Sequence, residues 1–312
     1  MDPIAWLLEP ENPSVRYRTL TELLDRGSSE EALEAKRVIA ASAPVLKLLQ
    51  AMHPDGYWLQ KNPRTGQVLG DGVEYGSFGT THFCLSYCAD LGLDRTHPLV
   101  AKAAERYLSL QGPDGDWWQH LSCLYAYNIR TFIKLGYRGD PRVQKAVDLM
   151  LSTSRPDGGY LCDLHEKPNR RPPKSCVRGS VKALLAFSEM PEYWDHVRCQ
   201  QLTDYFLNRH GIFKSKDHTR LVNDDMKRSS FPIAWRTNAW EILCALSRMG
   251  YGMDERLEDA WNVMESRRDA QGRYPLDMTP AQSPWKVGKT GEPNKWVTFY
   301  CLLAAKYAGR GA

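Results

Sequence analysis

Apolar residues recur along this chain at intervals of three and four, and the segments that carry the pattern are of two kinds. The first kind is apolar nearly all the way round: 78–92, 121–136, 176–190, 236–250 and 295–307 hold few charges, and three of them end in Leu-Gly or Met-Gly. A helix without a polar face is predicted to lie inside. The second kind, 97–111, 140–154, 193–210 and 254–268, has one charged face and is predicted to lie outside. Pro98 and Pro141 stand near the starts of two of these, where the missing amide proton costs nothing. With an inner helix over 13–24 and an outer one over 30–52, the count comes to about six inner and five outer helices.

Between the helices a short phrase returns, a turn with Gly followed by an aromatic. It reads HPDGYW at 53–58, GPDGDWW at 112–118 and RPDGGY at 155–160, and more weakly HGIF at 210–213 and AQGRY at 270–274. Its glycines, 56, 115, 158, 211 and 272, stand 43 to 61 residues apart, room for two helices and a connection. Gly supplies the positive φ that ends a helix, Pro and Asp pre-set the turn, and the aromatic is placed to stack under a neighbouring repeat. An array of helical hairpins follows. Closed on itself it is an all-α, α/α toroid; an open solenoid of helix pairs is the alternative. No linker divides the chain, so 1–312 is predicted to be one domain, with 1–52 as its first hairpin.

Composition narrows the function. A hydrophobic content of 42% and a charged content of 25% are ordinary for a globular protein. The net charge of +4 is slight and the basic residues are dispersed, which argues against nucleic acid. The first twenty residues lack a basic start and an uninterrupted apolar run, so neither a signal peptide nor a membrane span is predicted, and the default location is cytoplasmic. There, eight cysteines are expected to stay reduced.

LSLQGPDGDWW and LQAMHPDGYW, with Gln111 and Gln50 before the turn and Trp117 and Trp58 after it, resemble the Gln-Trp repeats of the prenyltransferase and squalene cyclase superfamily. The order CLYAYNIRTFIKLGY, DGGYLCDLH, SCVRGSVKALLAF, FPIAWRTNAWEILCALSRMGY and GEPNKWVTFYCLLAAK is similar to a bacterial branch of it. The resemblance implies a terpenoid cyclase/protein prenyltransferase-like toroid holding an apolar small molecule, such as a terpenoid, in a central cavity. Class II cyclases of that superfamily protonate an alkene with the central Asp of Asp-x-Asp-Asp; the nearest string here is Val222-Asn223-Asp224-Asp225. The Asp-x-Cys of the protein prenyltransferases has no counterpart, so no α-subunit partner is implied.

Several clusters are candidates for chemistry. Cys162, His165 and Cys176, with Cys123 as a fourth, have the composition of a closed tetrahedral zinc site, which would be structural; unrelated buried thiols and a surface His are the alternative, and an open fourth position would make the zinc catalytic and the protein a zinc hydrolase. Asp71, Glu74, Tyr75 and His82 lead into an inner helix, where a carboxylate beside a His is suited to acid–base work; a helix cap with an interior His is the structural alternative. Asp224 and Asp225 lie in the polar stretch 217–230, as a proton donor or as charges paired with Lys227 or Arg228. Trp118, His120, Tyr125 and Trp235 are candidates to line a substrate pocket, Trp117 to stack within the repeat. Trp285, Lys286, Lys289, Lys295 and Trp296 form a basic, aromatic segment suited to closing one mouth or meeting a phosphate, with a solvated loop, given Glu292 between them, as the preferred reading. The leading expectation is an enzyme acting on a terpenoid-like or other apolar molecule by acid–base chemistry, as cyclase, isomerase or lyase; the alternative is a non-catalytic, zinc-stapled repeat protein that binds a ligand or a protein segment.

Overall fold

The computed structural model describes residues 2–61, 65, 68–70, 79–117, 120–153, 155–163, 174–233, 236–281 and 283–311. The chain is mostly helical. The inner helices are α2 (Pro13–Arg18, continued by a π turn over Thr19–Leu23), α5 (Thr81–Asp90), α7 (Ser122–Lys134), α9 (Val177–Ser188), α11 (Ala239–Arg248) and α13 (Lys295–Tyr307). Between them run α3 (Glu30–Ile39), α4 (Ala43–Gln50), α6 (Pro98–Ser109), α8 (Pro141–Ser152), α10 (Val197–Leu207) and α12 (Glu258–Glu265), while α1 (Pro3–Leu7) opens the chain. Burial follows the sequence pattern. Every residue of α5 is buried, whereas α6 buries Val100, Ala103, Ala104, Tyr107 and Leu108, one stripe at helical spacing. The outer helix expected over 30–52 is two helices, α3 and α4, because Pro44 lacks the amide proton and clashes with the preceding turn.

All five repeat glycines have positive φ. The aromatic after the turn does more than stack: Trp58, Trp117 and Tyr160 each donate to the carbonyl ten residues earlier, at Leu48, Tyr107 and Met150, near the C-terminal ends of α4, α6 and α8. Helix ends leave carbonyls without partners, and these rings supply one. The amides of Trp58, Tyr160 and Tyr274 are in turn held by hydroxyls of Thr81, Ser180 and Thr298 on the inner helices that follow. One phrase thus ties an outer helix to the next inner one.

The turns also join successive repeats. A Cβ placed on Gly56, Gly115 or Gly211 would press on Lys102 of α6, Lys145 of α8 or Ala260 of α12, and one on Gly272 would come 3.0 Å from Pro3 of α1. Each turn leans on the next outer element, and the fifth leans on the first helix of the chain. The inner helices pack in order, α5 on α7, α7 on α9, α9 on α11 and α11 on α13, and α13 packs on α2 and its π turn.

Among the described residues two small antiparallel pairs interrupt the helices: β1 (Gln60–Lys61) with β2 (Val68–Gly70), and β3 (Phe213–Lys214) with β4 (Asp217–Leu221). The second occupies part of the stretch expected to be loop. Trp285 and Trp296, expected at a solvated surface, are buried, their rings 5.4 and 5.2 Å from that of Phe231. Lys295 pairs with Glu9 instead of forming a free basic patch.

Charged side chains fill the C-terminal ends of the inner helices. Arg130 donates to Asp90 at 3.1 Å and to Tyr300 at 3.3 Å, Tyr300 donates to Asp90 at 3.2 Å, and Arg18 donates to Tyr300 at 2.6 Å and to Glu22 at 2.9 Å. Arg248 pairs with Glu189, and a cavity of about 20 Å³ remains among these residues. Burial alone would raise the Glu22 carboxyl; Arg18, and after it Lys134, outweigh burial and hold its pKa down to about 2. Its stabilising contribution is therefore full above the ordinary value of 4.5 and is lost as pH falls toward 2. Its side chain is 27% exposed, so solvent screening trims the effect. Glu22→Gln is expected to remove about 2 kcal/mol of the acid-induced loss of stability across that window. Urea titrations at stepped pH check it; an acid limb as steep as the wild type's would show that Glu22 is not among the groups that drive it.

Candidate functional site

Inner helices α7 and α9 begin side by side, so close that a Cβ on Gly179 would come 2.8 Å from Ser122 Oγ, 3.7 Å from Cys123 N and 3.9 Å from Cys176 Cβ. Cys123 lies in the first turn of α7 and Cys176 is the N-cap of α9. Cys162 arrives from the turn phrase, after Tyr160, whose carbonyl accepts from Cys176 N at 2.7 Å. The sulfurs of Cys123 and Cys162 are thus brought together, with the Cys176 backbone at the start of the adjacent helix. Cys162 is 2% exposed, with its sulfur 3.8 Å from that of Cys123 and 3.5 Å from Ser122 Oγ. Its thiol is pulled down to about 5, first by the Cys123 thiol and then by the Ser122 hydroxyl and the amides of Cys123 and Ser122, against the opposing effect of burial. Amides at a helix start favour an anion, so Cys162 is placed as a thiolate near neutral pH. Two thiolates on one tetrahedral zinc, with bonds of about 2.3 Å, lie about 3.8 Å apart. Among the described residues no three His, Cys, Asp or Glu side chains gather as a metal site. His165 lies outside the described residues.

His120 borders this cluster. It has φ +47, its amide donates to Asp116 Oδ2 at 2.6 Å, Nε2 is 2.8 Å from Asp114 Oδ2 and Nδ1 is 4.0 Å from Asp163 Oδ2. These are carboxylate partners, where a place in an apolar pocket was expected. Tyr125 is buried, with its hydroxyl toward Thr153 Oγ1 at 3.5 Å, at the end of α8. Trp118, Trp235, Asp71, Glu74 and Tyr75 lie outside the described residues.

The remaining expected acid–base groups are dispersed. His82 is fully buried at the start of α5, its Nδ1 3.2 Å from Thr80 Oγ1 and its ring against Phe83, Tyr107 and Tyr127, which is the structural alternative raised for it. The Asp224 side chain is 88% exposed and pairs with Lys227. Asp225 pairs with Arg236 at 3.0 Å. Neither carboxylate has the burial that a proton donor to an apolar molecule requires.

Such burial occurs at a pair that sequence reasoning passed over. Lys182 of α9 and Glu241 of α11 meet at 2.7 Å with side chains 2% and 0% exposed. Lys182 also donates to the carbonyls of Ile233 and Arg236, and Glu241 accepts from Asn238 at 3.2 Å. Burial, the largest influence, pushes the Glu241 carboxyl up to about 7, although Lys182 pulls the other way. The available signal was a lone charge within each of two apolar runs, SVKALLAF and AWEILCAL.

Among solved structures the chain is similar to a polysaccharide lyase, with a TM-score of 0.53 at 14% identity over 95% of this chain and 89% of that one. It is also similar to the type II terpene cyclase MstE from Scytonema, with a TM-score of 0.34 at 12% identity over 88% of this chain and 98% of that one. The likeness to the lyase shows a shared fold; chemistry does not follow from it. No protein-family model matches the sequence, and no curated protein does. No helix among the described residues is long and apolar enough to cross a membrane.

Proposed function

We propose that the chain is a single-domain α/α toroid that binds a ligand and is stapled by one structural zinc ion, held by Cys123, Cys162, Cys176 and His165. The order of helix contacts, with α13 on α2 and the last repeat turn on α1, supports the closed ring. The observation that carries the zinc is the 3.8 Å separation of the Cys123 and Cys162 sulfurs at the start of α7, the spacing of two ligands on one tetrahedral ion. Zinc there would fasten the segment between Cys162 and Cys176 to two inner helices and balance the Cys162 thiolate. Elemental analysis of the purified protein tests this. About one zinc per chain is expected, lost in Cys162→Ser and Cys176→Ser along with thermal stability, because binding free energy is also folding free energy. Metal-free protein, or zinc retained in Cys162→Ser, would sink the proposal.

A second reading, an enzyme of lyase or cyclase type acting on a terpenoid-like or other apolar molecule inside the ring, is favoured by the Lys182–Glu241 pair. A fully buried carboxyl with a pKa near neutrality is suited to proton transfer. In this reading Glu241 takes the role expected of Asp224 and Asp225. The fold shared with a polysaccharide lyase is compatible with it without naming a substrate.

A further inference from the structure

One groove brings five cationic side chains together. Between the start of α9, the C-terminal half of α10 and the β3–β4 hairpin lies a cavity of about 290 Å³, lined by Lys174, Arg209, Lys214, Lys216 and Arg220 against one carboxylate, Asp217. Some exposed cations elsewhere find carboxylates, as in Arg26–Glu31 and Arg138–Glu192, while others, such as Arg37 and Lys145, are in no ion pair among the described residues. In the groove, Lys174, Lys214, Lys216 and Arg220 are in no ion pair among the described residues. Like charges gathered at one concavity repel one another, so the arrangement costs stability unless an anion enters.

The groove is also shaped. Arg209 lies 3.6 Å over the ring of Tyr205, donates to the Tyr205 carbonyl at 2.8 Å and stands 3.8 Å from Asp157, so its guanidinium is held in place before any ligand arrives. Tyr205, Val177 and Val222 give the cavity an apolar wall beneath the cations. Phe213 is buried and Val222 N bonds to Ile212 O, which anchors the hairpin and leaves Lys214 at the end of β3 half-buried and Lys216 exposed in the turn. A cationic rim over an apolar wall, near the lower size limit of small-molecule sites at about 300 Å³, suits an acidic group on a carbon skeleton.

The geometry points to a binding site in this groove for a small ligand that carries an oxyanion, as a phosphate ester or a polycarboxylate. The site does not depend on zinc or on the ring interior. Arg209 and Lys174 meet the oxyanion near the α9 start, Lys214 and Arg220 close on it from the hairpin, and the skeleton lies against Tyr205.

Isothermal titration of the full chain at low ionic strength, with inorganic phosphate, glucose 6-phosphate and citrate, tests the proposal. Saturable binding at one site is expected. The double variant Lys214→Gln/Arg220→Gln should weaken it by roughly tenfold or more, the usual cost of a lost hydrogen bond to a charged group. Neither side chain makes a hydrogen bond or ion pair among the described residues, so thermal stability should not fall and should rise where the cations repel one another. Arg37→Gln/Lys145→Gln removes two exposed cations elsewhere and should leave affinity unchanged. Preference for glucose 6-phosphate assigns a phosphate ester, and preference for citrate a polycarboxylate. No saturable binding by any of the three, or equal weakening in the control variant, would overturn the site. So would affinity that grows with the length of an oligonucleotide, which marks a polyanion surface.

Discussion

Gly158→Ala is expected to cost about 2–4 kcal/mol of folding stability, more than a helix-surface substitution can and enough to lower the urea midpoint sharply. Gly158 holds φ +80, and a Cβ there would come under 3.0 Å from the Gln201 carbonyl oxygen and 3.2 Å from its carbonyl carbon, both backbone atoms of α10. The turn cannot retreat. The Gly158 and Gly159 carbonyls each accept from the Arg198 guanidinium at 2.8 Å, and Arg198 is itself buried and bonded to the Thr153 carbonyl at 2.6 Å. A left-handed non-glycine residue costs about 1 kcal/mol and forced overpacking about 1–3 kcal/mol more. Gly250 separates the two effects, since its φ is +91 yet a Cβ there would have nothing within 4 Å. Gly250→Ala is expected to cost only about 1 kcal/mol. Equal losses in the two variants would mean that backbone conformation, and not the approach of one repeat to the next, makes the glycine necessary.

The same phrase explains what could be read in advance. Gly, Pro and Asp act over a few residues, so the five turns were visible in the chain, and the helices between them followed from where charges were missing. α13 spans the expected 295–307, and α7 and α9 lie inside their expected ranges. Cys123 and Cys176 stand at the starts of two adjacent inner helices, α7 and α9, and the Cys162 sulfur lies 3.8 Å from that of Cys123. What escaped was set by tertiary contact. Adjacent aspartates look the same in sequence whether exposed, as Asp224 is, or paired, as Asp225 is with Arg236. The β3–β4 hairpin has a strand of two residues and a polar turn, too short for periodicity to register. Trp285 and Trp296 flank lysines along the chain, yet their rings meet Phe231 in the core. Arg18, Asp90, Arg130 and Tyr300 come from four inner helices, and nothing local in any one of them reveals the other three.

Lys182 and Glu241 posed the same difficulty, and their mutual dependence is open to a direct test. Glu241→Gln is expected to cost about 3–5 kcal/mol, because it leaves the Lys182 ammonium buried with two carbonyls and no counter-charge. Lys182→Met should cost a similar amount by stranding the carboxylate. The double variant Lys182→Met/Glu241→Leu should return to within about 2 kcal/mol of the wild type, since an apolar pair of similar volume avoids burying either charge. Losses that add instead of cancelling would mean that the two side chains are not a coupled pair. The pH dependence gives an independent readout. Glu241 has its pKa raised to about 7 from an ordinary 4.5, so between those values the native state binds more protons than the unfolded one. Its contribution to stability therefore falls as pH rises through that window. Lys182, pushed below its ordinary value by burial, acts in the opposite sense, stability rising as pH climbs toward 10.5. In the double variant both slopes should vanish. If Glu241 is a proton donor to a bound molecule, the double variant will fold and still fail to turn that molecule over; if the pair is only a strut between α9 and α11, folding and ligand uptake will both survive it.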